Sequence, residues 1–340
     1  MIKLAPQNRR IVLAARPQGR VTPDCFRMET VEIPQPGEGE LLLRALYLSL
    51  DPYMRSRMSD APSYAEPVAL GGVMCGATLC EVVQSRAPGW AVGEKVLAYT
   101  GWQDYAVVNP EGLSRLPDDG LPPSWHLGVL GMPGLTAYVG LLDLAQPQPG
   151  ETVVVAAATG PVGATVGQLA KLKGCRAVGI AGGSEKCAYA VRELGFDACL
   201  DHYQDNLAEQ LAAACPGGID IYFENVGGHV LKAVLPLLKI GARVPVCGLI
   251  AWYNQTGPSD EPDYTPVLLR AVLTRRLKLQ GFIVSDHQQR REAFRAEMST
   301  WLRAGKLHTR EDVVEGLQHA PNALIGLLAG SNFGKLVVRL

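Results

Sequence analysis

The sequence predicts a doubly wound α/β domain joined to a second, mostly β domain. Its 340 residues exceed one ordinary core of roughly 150 residues, so two domains are expected. Hydrophobic residues make up 47% and charged residues 19%, which is usual for globular proteins and excludes a disordered or fibrous chain. Just over half of the 24 prolines fall in residues 1–125, among short apolar runs, whereas residues 128–305 alternate strand-like with helix-like segments.

The proline-rich part predicts a compact β domain. Apolar runs at residues 40–50, 77–83 and 95–99 are bounded by turn residues, which is typical of short strands joined by turns. Residues 336–340 form a further apolar run at the end of the chain. We expect this last strand to return to the first domain.

The α/β part begins with the clearest strand, residues 152–158 (TVVVAAA). A continuous apolar run without alternation is typical of a strand covered on both faces in a parallel sheet. Six strands with helices between them predict a doubly wound sheet. The other predicted strands are residues 175–181, 196–200, 219–223, 243–249 and 277–284, and the predicted helices are 162–173, 185–194, 206–215, 229–239, 265–275 and 288–303.

Charge and cysteine usage exclude several classes of protein. Lys and Arg total 32 against 33 acidic residues, so the chain has no basic footprint for nucleic acid or an anionic membrane. No apolar run is long enough to predict a membrane span, and the apolar stretch at residues 11–15 is too short for a signal peptide. The eight cysteines have no CxxC spacing, which disfavours a disulfide scaffold. We therefore expect a reduced, cytoplasmic protein.

A glycine turn follows the strand at residues 152–158. It reads TGPVG over residues 159–163, and glycine there lets backbone N–H groups approach a phosphate at the N-terminus of the next helix. The strict GxGxxG string is absent, since Ala158 stands at its first glycine, and turns also need glycine for purely structural reasons. The position of the turn at the start of the βαβ series favours dinucleotide binding over a structural turn.

The end of the second strand indicates which nicotinamide cofactor binds. An NAD site carries Asp or Glu about 20 residues after the turn, bound to the ribose hydroxyls. Here Gly182 and Gly183 follow the strand with no acid, while Ser184 and Lys186 can contact a 2′-phosphate, which favours NADP. Alternatively, Glu185 turns towards the ribose and the cofactor is NAD.

Five segments of the chain, spread over essentially its whole length, resemble one known family. They are residues 131–138 (GMPGLTAY), 157–175 (AATGPVGATVGQLAKLKGC), 224–228 (ENVGG), 247–254 (CGLIAWYN) and 330–335 (GSNFGK). The family is the zinc-independent medium-chain dehydrogenase/reductases that reduce alkenals and enones. It includes the prostaglandin reductases, plant alkenal double-bond reductases and bacterial NADPH-dependent curcumin reductases. The bacterial branch is the most similar, because of Leu200-Asp201-His202.

The resemblance implies a Rossmann domain over residues 129–308 and a GroES-like β-barrel domain from residues 1–128 with 309–340. NADP(H) would lie in the cleft between them, and the protein would be a homodimer. Lys186 would pair with the 2′-phosphate, and Asn225 would lie near the ribose. Many relatives have a tyrosine beside the 2′-phosphate where this chain has His202 followed by Tyr203, so either ring could serve. The other cofactor-binding residues that the resemblance implies are Thr136, Gly160, Pro161, Val162, Gly163, Gly183, Cys247, Gly248, Tyr253, Phe282, Ile283, Val284 and Asn332.

No metal site is expected. Zinc-dependent members of the superfamily need a Cys, a His–Glu pair and a further Cys or Asp, but the equivalent residues 71–76 (GGVMCG) contain no histidine. The six histidines show no ligand spacing, and Cys75 is expected to be a buried structural thiol. Because an alcohol is difficult to oxidise without a Lewis acid, the expected reaction is reduction of an activated C=C bond.

Hydride addition to the β-carbon of a small enal or enone leaves negative charge on the carbonyl oxygen, so a hydrogen-bond donor must face that oxygen. Tyr253, on the loop after the predicted strand 243–249, is the first candidate and matches a tyrosine implicated in relatives; the same resemblance implies Tyr53 as the second. Three alternatives stay open. In the first, Tyr253 only packs on the cofactor. In the second the enzyme is an NADPH:quinone reductase, and in the third the protein binds NADPH without catalysis, as the related lens crystallins do.

Overall fold

The structure, a computed structural model, describes residues 6–255, 257 and 263–340, which form two compact units. The first unit contains the described part of Met1–Gly128 together with Glu311–Asn332 and Leu336–Leu340. The second contains the described parts of Val129–Arg310 and Phe333–Lys335.

Two short segments fall in the second unit, whereas the family resemblance implies the first domain for them. These are residues 309–310 and 333–335. The guanidinium of Arg310 lies 3.8 Å from the centre of the Phe333 ring, and that ring packs edge-on against Tyr189 at 5.0 Å between centres. Because Tyr189 belongs to the second unit, these contacts hold both segments there.

The helices and strands fall into two blocks along the chain, followed by a short final part. The first block is β1 (Asn8–Leu13), β2 (Phe26–Val31), β3 (Leu41–Ser49), α1 (Met54–Arg57), β4 (Thr78–Ser85), β5 (Lys95–Ala98), β6 (Tyr105–Val108) and β7 (Ser114–Arg115). The second is α2 (Met132–Tyr138), β8 (Thr152–Ala156), α3 (Pro161–Leu172), β9 (Arg176–Ala181), α4 (Ser184–Arg192), β10 (Ala198–Asp201), α5 (Leu207–Ala214), β11 (Ile219–Phe223), α6 (Gly228–Val234), β12 (Leu238–Val246), α7 (Thr265–Arg275), β13 (Lys278–Gly281) and α8 (Arg291–Arg303). The chain then forms β14 (Glu311–Glu315), α9 (Ala320–Leu328) and β15 (Lys335–Arg339).

An antiparallel sheet organises the first unit. Its strand order is β14-β15-β3-β4-β5-β7, and β6 also pairs with β3. The predicted strands at residues 40–50, 77–83 and 95–99 correspond to β3, β4 and β5. In the last strand, Val337 pairs with Ser49 and Val338 with Leu48, so the end of the chain returns to this sheet as predicted.

A six-stranded parallel sheet forms the centre of the second unit, as the sequence predicts. Its order is β10-β9-β8-β11-β12-β13. Counted from β8, that is the 3-2-1-4-5-6 order of dinucleotide-binding sheets, with the order reversing between β8 and β11. Val153, Val154 and Val155 of β8 are fully buried, which explains the continuous apolar run.

Several predicted boundaries are wrong, for identifiable reasons. The strand predicted at residues 152–158 is β8, which ends at Ala156, because Ala157 adopts a left-handed φ of 53°. The predicted helix 229–239 ends at Val234 and gives way to a single turn of 3-10 helix containing Pro236, which lacks the N–H that an α-helix needs. The strand predicted at residues 243–249 is Leu238–Val246.

Two further segments depart from prediction. The helix predicted from residue 288 begins at Arg291, after a stretch of 3-10 helix over Val284–Arg290. Residues 11–15, noted only as a short apolar stretch, contribute to β1, where Ile11 and Leu13 are buried. Within residues 6–255, 257 and 263–340, no helix is long and apolar enough to cross a membrane.

Candidate active site

The glycine turn connects β8 to α3 at the carboxyl end of the parallel sheet. Ala157 adopts its left-handed φ directly after β8, and Gly160 is the cap of α3 with an extended backbone. Pro161 takes the first helical position, where a missing N–H costs nothing. A Cβ on Gly163 would lie 2.2 Å from the carbonyl oxygen of Ala157, so this close approach requires glycine.

The first turn of α3 presents backbone donors. The cap residue Gly160 has no side chain, and among the described residues no side chain caps these N–H groups. Val162 lies in this first turn and is half-buried. Unfilled donors and the positive end of the helix dipole suit an anionic group such as a pyrophosphate.

The turn between β9 and α4 is held by a carboxylate. Gly183 has a φ of 92° and donates its N–H to Asp201 Oδ1 at 2.8 Å. The same oxygen accepts the N–H of Tyr203 at 3.0 Å. Lys186 follows in the first turn of α4, half-buried. Asp201 is therefore engaged with backbone donors, and Lys186 adds a cation on the helix that follows the turn.

The ring of His202 fills the space over Gly182, next to the end of β9. A Cβ on Gly182 would lie 3.0 Å from His202 Nε2 and 2.9 Å from the ring of Tyr203. Any larger residue there would displace both rings. Burial, together with the charges of His229 and Lys186, lowers the pKa of His202, so the ring is neutral at pH 7.

Asn225 joins the carboxyl ends of two neighbouring strands. It follows β11, and its Nδ2 donates to the carbonyl oxygen of Ala156 in β8 at 2.8 Å. Since β8 and β11 are neighbours where the strand order reverses, Asn225 lies at the switch point at which α/β sheets bind ligands.

Glu224 supports the loop that carries Asn225. It is 2% exposed, and its Oε1 accepts the Tyr222 hydroxyl at 2.9 Å and the N–H groups of Val226 and Gly227 at 2.7 and 2.9 Å. Burial raises the pKa of this carboxyl above its ordinary value. The three bonds fix the backbone of the loop after β11.

Tyr253 is placed by the segment after β12. Cys247 and Gly248 donate their N–H groups to the carbonyl oxygen of Glu224 at 2.9 and 3.2 Å, and Tyr253 ends the 3-10 turn Ile250–Trp252. The Tyr253 hydroxyl oxygen is 3.0 Å from the position that a Cβ would take on Gly248. It therefore lies over a residue without a side chain. Burial raises the pKa of the Cys247 thiol to about 12, so that thiol stays protonated.

Other predicted site residues use their side chains for packing within the second unit. The Thr136 hydroxyl donates to a carbonyl oxygen one turn earlier in α2 at 2.8 Å. The Phe282 ring packs edge-on against Phe223 at 6.4 Å between centres, so its side chain supports the sheet. Ile283 and Val284 follow β13 and are half-buried.

Two of the predicted site residues, Tyr53 and Asn332, belong to the first unit. The Tyr53 and Tyr99 hydroxyls are hydrogen-bonded at 2.8 Å, and burial holds the pKa of Tyr53 well above its ordinary value. Tyr53 is therefore a neutral hydrogen-bond donor at any physiological pH. Asn332, half-buried, follows α9 in the same unit, whereas Lys186 and Tyr253 belong to the second.

Comparison with known proteins identifies the family. Two family profiles match: "N-terminal domain of oxidoreductase" over residues 9–116 and "Zinc-binding dehydrogenase" over residues 161–302. The chain is 58% identical to the NADPH-dependent curcumin reductase of Escherichia coli over 98% of its own length and 97% of that protein. It is 40% identical to an NADP-dependent 2-alkenal reductase of Nicotiana tabacum, over 91% and 89% of the two chains. The chain belongs to the NADPH-dependent alkenal reductases of the medium-chain dehydrogenase/reductase family.

A solved relative of this reductase carries the cofactor. CurA of Vibrio vulnificus in complex with NADPH has a TM-score of 0.94, with 56% identity over 97% of this chain and 98% of that one. The fold of the reductase is therefore that of a Rossmann domain with a GroES-like domain, as predicted.

The residues of the reductase fit NADP(H). The turn that places Gly163 against Ala157 leaves the donors of α3 open to a pyrophosphate. No acid stands directly at the end of β9, where Gly182 and Gly183 follow the strand, and Lys186 supplies a cation in the first turn of α4; Glu185, the acid beside it, is exposed. The glycine at position 248 leaves space beneath Tyr253.

The description of the second family profile names zinc. Among residues 6–255, 257 and 263–340 of the reductase, no group of three or more His, Cys, Asp or Glu side chains is placed to hold a metal ion. Cys75, in the first unit, is half-buried, and burial raises the pKa of its thiol.

Sequence reasoning did not single out three residues of these clusters. Glu224 was noticed only as part of a motif, although its position directly after a buried strand is a signal. His229 lies in α6 and its ring contacts His202, which follows β10. Tyr99 follows β5, and its hydroxyl is hydrogen-bonded to that of Tyr53. Neither of these two contacts leaves a signal in the local sequence, because the partners are 27 and 46 residues away.

Proposed function

We propose that this reductase uses NADPH to reduce the C=C bond of α,β-unsaturated aldehydes and ketones, by hydride addition to the β-carbon. The observation that carries the proposal is 58% identity, over nearly the full length of both chains, to a protein named NADPH-dependent curcumin reductase. A glycine turn with open helix donors at the switch-point edge of the sheet supports it.

In this proposal the second unit is the cofactor-binding domain, and the first is the substrate domain. Bound NADPH supplies the hydride. Lys186 contacts the 2′-phosphate, and the first turn of α3 binds the pyrophosphate. Asn225, Gly248 and the segment that follows β13 border the nicotinamide half of the cofactor.

The Tyr253 hydroxyl is proposed to donate a hydrogen bond to the substrate carbonyl oxygen as negative charge develops there. Its position over Gly248, which has no side chain, supports this role, because nothing on that residue blocks the hydroxyl. Such a bond lowers the barrier because it is stronger in the transition state than in the ground state. Tyr53 is the second candidate donor, and its raised pKa keeps it in the neutral form that donates.

The finer properties of the protein follow from the family resemblance and from the cysteine usage of the sequence. We propose that it acts in the cytoplasm as a homodimer on a small-molecule enal or enone. Light scattering coupled to size-exclusion chromatography checks the dimer, and a mass equal to one chain of 36.5 kDa would contradict it.

The activity is tested with a substrate panel. An enal, an enone and a benzoquinone are each assayed by loss of NADPH absorbance, and the assays are repeated with NADH. We expect turnover of the enal and enone, with the saturated carbonyl compound as product, and a higher kcat/KM with NADPH. Turnover of the quinone alone would make the protein a quinone reductase, and binding of NADPH with no oxidation by any of the three would make it a binding protein.

The role of Tyr253 is tested by Tyr253→Phe. A hydrogen bond to a developing oxyanion is worth about 2.7–4 kcal/mol in well-studied sites, so kcat should fall at least about tenfold. The Kd for NADPH should stay nearly constant, because the ring remains. Tyr264→Phe, which alters an exposed tyrosine beyond the same loop, serves as the control. Unchanged turnover of Tyr253→Phe would remove this residue from the mechanism.

A further inference from the structure

Two histidines from different elements meet at the end of β9. His202 follows β10, and His229 lies in the first turn of α6. Their ring centres are 5.3 Å apart, and His229 Nε2 donates to the backbone carbonyl oxygen of His202 at 3.2 Å. His229 is exposed, so it adds a titratable group at the rim of this cluster.

One ring nitrogen of His202 makes no hydrogen bond within the described part of the fold. Its Nδ1 is buried and has no hydrogen-bond partner among the described residues, and its Nε2 lies over Gly182. A buried polar nitrogen without a partner costs stability, so proteins usually satisfy it. The ring stands beside the turn that leads to Lys186, which is where the proposed 2′-phosphate would sit.

The charges around His202 come from three elements. Lys186 of α4 and His229 of α6 disfavour its protonation, and Asp201, the residue before it, favours protonation. Tyr203 packs on the ring at 4.3 Å between centres. The Asp201 carboxylate is already bound by the N–H groups of Gly183 and Tyr203, so it does not fully offset the burial that disfavours a proton on His202.

We propose that His202 and His229 form a proton-dependent 2′-phosphate subsite, so that binding of NADPH, but not of NADH, takes up a proton. The inference rests on the proposed use of NADPH and is independent of the substrate. Without ligand, burial is the largest cause that lowers the pKa of His202, with Lys186 acting in the same direction, and the ring is neutral at pH 7. A phosphate dianion beside the ring favours the protonated form, and by linkage the affinity for NADPH rises as pH falls.

Proton uptake is measured by calorimetric titration of NADPH at pH 7 in buffers of different ionisation enthalpy. We expect a net uptake of between zero and one proton per NADPH, and none with NADH. The phosphate itself has a pKa near about 6, and binding beside Lys186 would make it release protons, so net uptake is specific to the histidines. The Kd for NADPH should be roughly threefold or more lower at pH 6 than at pH 8.

Three variants and one control show which histidine takes up the proton. His202→Gln and His229→Gln should each reduce the uptake. His229→Lys should bind NADPH tightly with a weaker dependence on pH than the parent, because lysine stays charged while His202 still titrates. His319→Gln removes an exposed histidine of the first unit, outside this cluster, and should behave as the parent. The NADH affinity and thermal melting of each variant show whether the fold is intact, and the exposed His229 can be changed even if His202 cannot.

Uptake that is equal in the parent and both glutamine variants, or net proton release by the parent, would overturn the proposal. These outcomes are separate from the test of function. A protein that turns over no enone could still take up a proton with NADPH, and an active enone reductase could fail to do so.

Discussion

Gly163→Ala tests whether the contact between α3 and β8 makes the phosphate site. The added Cβ would lie 2.2 Å from the carbonyl oxygen of Ala157 and 2.8 Å from its carbonyl carbon. Both atoms are backbone, so no side chain can rotate away. Ordinary contact would require the start of α3 to move by about 1 Å.

The expected cost follows from two opposing effects. Overpacking of this kind destabilises by about 1–3 kcal/mol, while alanine gains up to about 1 kcal/mol over glycine in helix propensity. A net loss of about 1–2 kcal/mol in the free energy of unfolding is expected. The displaced N–H groups should also lose a charge-assisted hydrogen bond worth about 1.5–3 kcal/mol, which raises the Kd for NADPH by at least about tenfold.

Gly160→Ala, in the same turn, is the matched control. Its Cβ would meet only the carbonyl oxygen of Ala157, at 3.3 Å, and the φ of −72° suits alanine. The control should lose at most about 1 kcal/mol. Urea denaturation without cofactor and NADPH fluorescence titration measure both effects. If Gly163→Ala matches the control in stability and keeps the parent's affinity for NADPH, the close approach does not shape the site.

Three further predictions test other parts of the second unit. Lys186→Ala should weaken NADPH binding by about 1.5–3 kcal/mol and leave NADH binding nearly unchanged, and equal losses for both would contradict a 2′-phosphate contact. Asn225→Ala removes the bond to Ala156 and should raise the KM for NADPH while the melting temperature falls by only a few degrees; a parent-like KM would place Asn225 outside the site. Burial works against ionisation of Glu151, but hydrogen bonds from Arg243 at 2.6 and 2.8 Å outweigh it and hold the pKa of Glu151 below its ordinary value. That stabilisation is present above the unfolded pKa of about 4.3 and is lost as pH falls through the lower folded pKa, so Arg243→Gln should flatten the acid limb of the stability curve measured by urea denaturation.

The sequence by itself determined the order and type of the elements in the parallel sheet. Ile219–Phe223 and Thr265–Arg275 form over the predicted residues. The turn at residues 159–163 also falls where predicted, at the start of α3. These features depend on local properties: continuous apolar runs, a proline at a helix start, and glycine where backbone must approach backbone.

Only the tertiary structure decided where strands end and which side chains meet. Leu238 and Lys239 were predicted to be helical, yet they lie in β12, because Leu238 pairs with Ile219 and is buried in the sheet. The burial of Glu224, the contact of His229 with His202, and the bond between the Tyr53 and Tyr99 hydroxyls join residues or elements that the local sequence does not relate. Strand pairing and burial depend on distant partners, and a pattern along the chain carries no information about which partner lies across from it.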